Sequence, residues 1–158
     1  MAAPEVRFDD LETLSSLVTE AWTDFGPPLS VTQEMIDRFA DVTGDQQWIH
    51  QDTERCRRDS PFGGPVAHGF LIVSLIGTLE AEMPYELTGF ETIVNYGADK
   101  LRFISPVPAG AKIHARRRLV HVRKKGPDGT QLTVETEVHI VGADKPALLY
   151  KSLVLFLP

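Results

Sequence analysis

The sequence predicts an α+β fold: helices first, one of them long, central and buried, then an antiparallel sheet that curls over it. Three observations carry that prediction. The segment 66–79 is apolar on nearly every side, and such a helix should be buried on every side. The second half of the chain holds four stretches with strand character, at 91–104, 111–125, 130–141 and 147–157. No internal repeat and no linker composition divides the 158 residues. One domain over 1–158 is therefore expected, with a helix at about 8–23 as an N-terminal extension.

Each element has a local reason. Leu11, Leu14, Leu17, Val18, Ala21 and Trp22 recur at helical spacing, and Pro27-Pro28 ends that pattern. A second helix is expected after Thr32, whose hydroxyl can cap it while Glu34 suits its positive end. Met35, Ile36, Phe39, Ala40 and Val42 form its expected buried stripe, and Gly44 stops it. Asp52 is placed to cap a short helix running through Arg58, and residues 60–65 are rich in turn formers. Leu132, Val134, Thr136, Val138 and Ile140 alternate with Thr133, Glu135, Glu137 and His139, the pattern of a strand with one wet face. Gly126-Pro127-Asp128-Gly129 reads as a hairpin turn. The last strand is mostly apolar on both faces, which places it centrally or in an interface.

Composition bounds the function. The chain is 42% hydrophobic and 24% charged, ordinary for a globular protein. A net charge of -6 argues against a nucleic-acid surface. The lone Cys56 has no internal disulfide partner, which favours a reducing compartment. The first ten residues lack a signal-peptide core, and the uncharged stretch 65–79 is too short to cross a bilayer. A soluble cytoplasmic protein without a membrane partner is expected.

The chemistry concentrates between residues 39 and 76. Asp45 follows the helix-stopping Gly44, and His50 lies five residues on. Pro65-Val66-Ala67-His68-Gly69 then opens the apolar helix, whose first N–H groups have no intrahelical partner and can face an anion. An acid, an imidazole and such donors are what adding or removing water beside a carbonyl requires. Taken singly, Asp45 is an ordinary turn residue and His50 an ordinary hydrogen-bonded histidine. It is their combination with the helix start that points to catalysis. His114, His121 and His139 are scattered over strands without metal-ligand spacing, and no metal is expected.

Thr43-Gly44-Asp45, His50, Pro65-Val66-Ala67-His68-Gly69 and Ser105-Pro106-Val107-Pro108-Ala109-Gly110 together resemble the MaoC-like dehydratases, the (R)-specific enoyl-CoA hydratases of the hot-dog fold. The resemblance covers roughly residues 28–157. Gly44-Asp45-Gln46-Gln47-Trp48-Ile49-His50, with Asn95-Tyr96-Gly97 later, is most similar to the nodulation protein N-like branch. It implies a hot-dog homodimer joined edge to edge that hydrates trans-2-enoyl-CoA to (3R)-hydroxyacyl-CoA, or runs the reverse. It implies no cofactor beyond the coenzyme A of the acyl-thioester substrate. By the same resemblance the catalytic aspartate falls on Asp45, the catalytic histidine on His50 and the oxyanion-hole glycine on Gly69. Ala67, His68 and Asn95 are the further candidates for substrate contact. Better-known members carry Asn-Pro between the catalytic pair, where this chain has Gln46-Gln47-Trp48-Ile49, and some carry a serine at the position of Gly77.

Several residues keep two readings. Trp48-Ile49 anchors the loop or lines the acyl pocket. Arg116-Arg117-Arg118 and Arg123-Lys124-Lys125 are a solvated strand face and hairpin end, or partners for coenzyme A phosphates. Asn95-Tyr96-Gly97 places an amide near the site or marks a strand irregularity. His68 supports the helix start or touches substrate. For the whole protein, the alternatives are a 3-hydroxyacyl-thioester dehydratase on another carrier and a non-catalytic acyl-thioester-binding protein.

Overall fold

Four long strands build most of the main sheet: β4 (Thr92–Phe103), β5 (Lys112–Lys125), β6 (Gly129–Ile140) and β7 (Pro146–Leu157). With β2 (Leu29–Ser30) they form one antiparallel sheet in the order β2-β5-β6-β7-β4. The computed structural model describes residues 3–158. The sheet curves around α5 (Gly69–Leu75), which gives the expected hot-dog fold. The predicted strands lie within a residue or two of those observed, and β7 is indeed interior to the sheet. Gly126, at φ 69°, turns the β5–β6 hairpin, which closes on the Lys125–Gly129 pair.

The wet face of β6 is a charge ladder. Glu135 pairs with Arg118 and, at 3.0 Å, with Lys151, while Glu137 pairs with Arg116 at 2.6 Å. Thr133 and His139 on the same face are buried, and His139 is covered by a residue before β2: Phe25 stacks on His114 at 3.9 Å and meets His139 edge-on at 5.0 Å. Arg117 points the other way and donates to the Ile76 and Leu79 carbonyls at 2.6 and 2.8 Å, closing the end of the central helical segment. Burial lowers its pKa from the usual guanidinium value. The arginine triplet is therefore occupied with holding the sheet and helix.

The N-terminal region departs from the expected helix. α1 covers only Leu11–Ser16, after a short β1 (Glu5–Arg7) that pairs in parallel with β3 (Glu86–Thr88). Beyond Leu17 the chain is extended, and Thr19, Thr23 and Gly26 donate to the Leu119, Arg117 and Ala115 carbonyls at 3.1, 2.9 and 3.0 Å. This strap satisfies the β5 edge, and those tertiary hydrogen bonds override the local helical spacing.

α2 (Gln33–Thr43) is capped as expected, by the Thr32 hydroxyl accepting from the Met35 N–H and by left-handed Gly44 at φ 76°. Ile36 enters the main core beside Leu71, Ile72, Val138 and Leu148, Phe39 packs against it, and Ala40 is buried. Val42 does not: it is 85% exposed. At 100° per residue it lies about 200° around the helix from Ala40, facing solvent. The central helix is also shorter than its sequence pattern, with seven residues followed by a turn that returns the Leu79 N–H to the Leu75 carbonyl. It is not buried on every side, for Phe70 is 61% exposed and Ser74, Gly77 and Thr78 face outward.

Candidate active site

Gly44 turns the chain out of α2 and leaves Asp45 exposed in the following turn. The Asp45 carboxylate accepts a long hydrogen bond from the Gln47 N–H at 3.4 Å, and its own N–H reaches the Thr43 hydroxyl at 3.3 Å. The chain then forms a one-turn helix, α3 (Trp48–Gln51), in place of the expected loop. It carries His50 inward, to 6% exposure. Asp52 caps α4 (Thr53–Asp59) by accepting from the Arg55 N–H at 2.9 Å. Cys56 is buried on α4 with its thiol against the Trp48 carbonyl at 3.3 Å, and burial raises its pKa, which does not suit a nucleophile.

The His50 tautomer follows from geometry. Nδ1 lies 2.7 Å from the Val66 carbonyl, which can only accept, so Nδ1 carries the proton and Nε2 presents a lone pair. Two further contacts hold α3 in place: the Gln33 amide donates to the His50 carbonyl at 2.7 Å, and the Val66 N–H to the Ile49 carbonyl at 3.0 Å. His68 joins the pair. Its Nε2–H donates to the Asp45 carbonyl at 3.0 Å, and its ring stacks on His50 at 3.7 Å. One ligand-type atom from each of Asp45, His50 and His68 lies within 4.8 Å of the others. The same three residues form a donor set able to hold a divalent cation.

Burial lowers the His50 pKa from its ordinary 6.5; the nearby His68 adds to this, while the Val66 carbonyl and Asp45 partly oppose it. The imidazole is therefore neutral, and able to take a proton, at any pH above 6.5. The acid limb of kcat/KM is expected below 6.5, lying where protonation removes the Nε2 lone pair. A rate profile with its acid limb above 6.5 would contradict this. The folded pKa lies below the unfolded one, so the same group contributes stability in full above pH 6.5 and loses it as pH falls towards the folded value.

Gly69 begins α5, and its N–H lies in the first turn, where a helix supplies no partner. The neighbouring Ala67 N–H is already taken by the Val107 carbonyl at 2.8 Å, so Ala67 has no N–H to offer a substrate oxygen. A cleft of about 360 Å³ opens beside His50 and Gly69, walled by Ile49, Phe62, Phe70, Phe103 and Ile104. A Cβ on residue 69 would stand 2.7–2.9 Å from the Phe103 ring, so only glycine fits beneath that ring as it stands.

The structure thus brings together Asp45, His50, Ala67, His68 and Gly69. It does not bring Asn95, which sits on the exposed edge strand opposite Val154 at an irregularity before Gly97. At about 3.3 Å per residue it is some 25 Å up β4 from the cleft wall at Phe103. Ile49 lines the cleft, whereas Trp48 carries the Arg55 guanidinium 4.2 Å above its ring. Gln33 and the aromatic walls Phe62, Phe70 and Phe103 were not among the expected site residues. Their contacts come from distant segments, so nothing in the local spacing signals them.

A hot-dog sheet with an acid and a neutral imidazole beside the start of its central helix defines a hydro-lyase of the hot-dog class. The MaoC like domain matches residues 17–142. The chain is 40% identical over 147 residues to 3-hydroxyacyl-thioester dehydratase Z of Mycobacterium tuberculosis, covering 92% of this chain and 96% of that one. It is 35% identical over 146 residues to nodulation protein N of Rhizobium meliloti, covering 91% and 87%. Among solved structures, the MaoC-like dehydratase from Rhodospirillum rubrum superposes with a TM-score of 0.71 at 20% identity, covering 91% of this chain and 95% of that one. The (R)-hydratase from A. caviae does so with 0.62 at 22%, covering 85% and 97%. The chain belongs to the MaoC-like dehydratase family.

Proposed function

We propose that this protein hydrates trans-2-enoyl-CoA to (3R)-hydroxyacyl-CoA, or dehydrates in reverse, with Asp45 and His50 acting on one water. The supporting observation is the convergence of an exposed carboxylate and a neutral imidazole, its Nε2 lone pair free, above an apolar cleft. Water attacks C3 as its proton passes to the Asp45–His50 pair, and C2 gains a proton from the same pair. The thioester oxygen carries enolate charge in between, and the Gly69 N–H is the proposed donor to it. Asp45 acts mainly as the base, while His50 orients the water and shares the proton. Ala67 lines the acyl group. Dehydration is a second reading of the same site, favoured by the relative named 3-hydroxyacyl-thioester dehydratase.

The test follows loss of enoyl-thioester absorbance with crotonyl-CoA and a longer trans-2-enoyl-CoA. Turnover of either supports the reading. A folded protein inert on both, and equally inert on 3-hydroxyacyl thioesters, would leave the non-catalytic binder as the better account.

A homodimer and a cytoplasmic location belong to the same proposal. Among the described residues no helix is long and apolar enough to cross a membrane. Among the described residues one edge of β4 has no neighbouring strand, and Ile93, Tyr96, Leu101 and Phe103 on it are 36–54% exposed. A long apolar edge of this kind invites pairing with a second copy. Sedimentation should therefore give twice the 17.5 kDa chain mass, and Ile93→Lys with Leu101→Lys should shift the species to the monomer. A wild type that sediments as a monomer at micromolar concentration would remove the dimer from the proposal.

A further inference from the structure

We infer that His68 is a positioning residue, tying the Asp45 turn to the His50 ring so that carboxylate and imidazole meet one water. The inference deepens the proposed reaction and rests on that reading. His68 occupies the N-cap position of α5, yet its side chain makes no capping hydrogen bond there. It reaches instead across 23 residues of sequence to the Asp45 carbonyl, with Nε2 at 3.0 Å. That carbonyl can only accept, so the ring proton sits on Nε2. Among the described residues Nδ1 has no hydrogen-bond partner, although it is buried. A residue present only to fill space would not leave a buried nitrogen unsatisfied, because an apolar side chain avoids that penalty.

The ring plane serves the second half of the role. It lies 3.7 Å from the His50 ring at 26°, with Phe39 at 5.1 Å tilted against it. His50 is thereby fixed at Nδ1 by the Val66 carbonyl and on one face by His68. Asp45 has no comparable support. Its side chain is exposed and its local contacts are 3.3 and 3.4 Å long, so the His68 bond is the shortest hydrogen bond made by the turn residue itself. A carboxylate displaced by about 1 Å from its working position can lose about 10²-fold in rate.

Two substitutions separate the ring from the tether. His68→Phe keeps a flat ring against His50 and Phe39 and removes the donor. His68→Gln loses the ring but returns an amide N–H close to where Nε2 stood. The expected result is a fall in kcat of about 10- to 100-fold for His68→Phe with KM nearly unchanged, and recovery of at least tenfold of that loss in His68→Gln. Equal activity of His68→Phe and wild type would overturn the inference. So would equal losses in the two variants. Amide hydrogen exchange at residues 44–47 provides a readout independent of turnover. It should accelerate in His68→Phe and stay near wild type in His68→Gln, while long-range ¹⁵N spectra of the wild type should show the Nε2–H tautomer at residue 68. Unchanged exchange in His68→Phe, or the opposite tautomer, refutes the tether even if the wild type proves inert. Inertness with the exchange pattern intact would instead count against the proposed reaction.

Discussion

Asp45→Asn and His50→Gln are each expected to lower hydration of crotonyl-CoA by at least ~10²-fold, the scale of positioned acid–base groups. Asp45 is exposed and makes only a 3.4 Å side-chain contact, so the asparagine should fold as the wild type does. His50 is buried and its Nδ1–H satisfies the Val66 carbonyl at 2.7 Å. Glutamine has no basic nitrogen to present to water, and its amide stands near the former Nε2 rather than Nδ1, so the Val66 carbonyl also loses its donor. Both variants should therefore lose kcat; Asp45→Asn should keep its thermal midpoint within about 1–2 °C, as expected of a surface change below ~0.5 kcal/mol, whereas His50→Gln should lower it by removing a buried donor. The combined variant should be little worse than either single one, because groups acting on one water fail together. Variants that turn over at wild-type rates would mean that the reaction occurs elsewhere in the cleft.

The second large effect concerns the strap that covers the β5 edge. Gly26→Ala is expected to destabilise the protein by about 1–3 kcal/mol, the usual penalty for forcing atoms into filled space. A Cβ at that position would stand 1.7 Å from the Glu80 carbonyl oxygen and 2.6 Å from its carbon, both backbone atoms that no side-chain rotation can move aside. Relief requires the strap or the 80–81 segment to shift, which endangers the Gly26 N–H bond to the Ala115 carbonyl. For a chain of this size the melting temperature should fall by roughly 2–4 °C per kcal/mol. Gly77→Ala is the matched control. Nothing lies within 4 Å of its Cβ position and its φ is not in the left-handed region, so its melting point should stay within a degree or two of wild type. Equal melting of the two variants would show that the strap does not hold the edge as closely as its hydrogen bonds imply.

What the sequence determined by itself were features governed by near neighbours. Alternation and turn residues located four strands to within a residue or two, since a half-buried strand must alternate and Gly126 and Gly129 bracket the tight turn. Thr32, Gly44 and Asp52 were legible as helix ends because capping acts across three or four residues. The Asp45–His50 pair was visible for the same reason, lying on one short stretch beside a helix start. Tertiary structure alone decided the rest. The helical spacing after Ser16 yielded to carbonyls on β5, and the apolar central segment kept Phe70 uncovered because the sheet does not reach around it. Gln33 meets His50, His68 meets Asp45, and Phe103 covers Gly69 through contacts set by strand order and sheet curvature. Hydrogen bonding and packing act over a few ångströms of space whatever the separation in sequence, so these contacts exist only once the chain has folded.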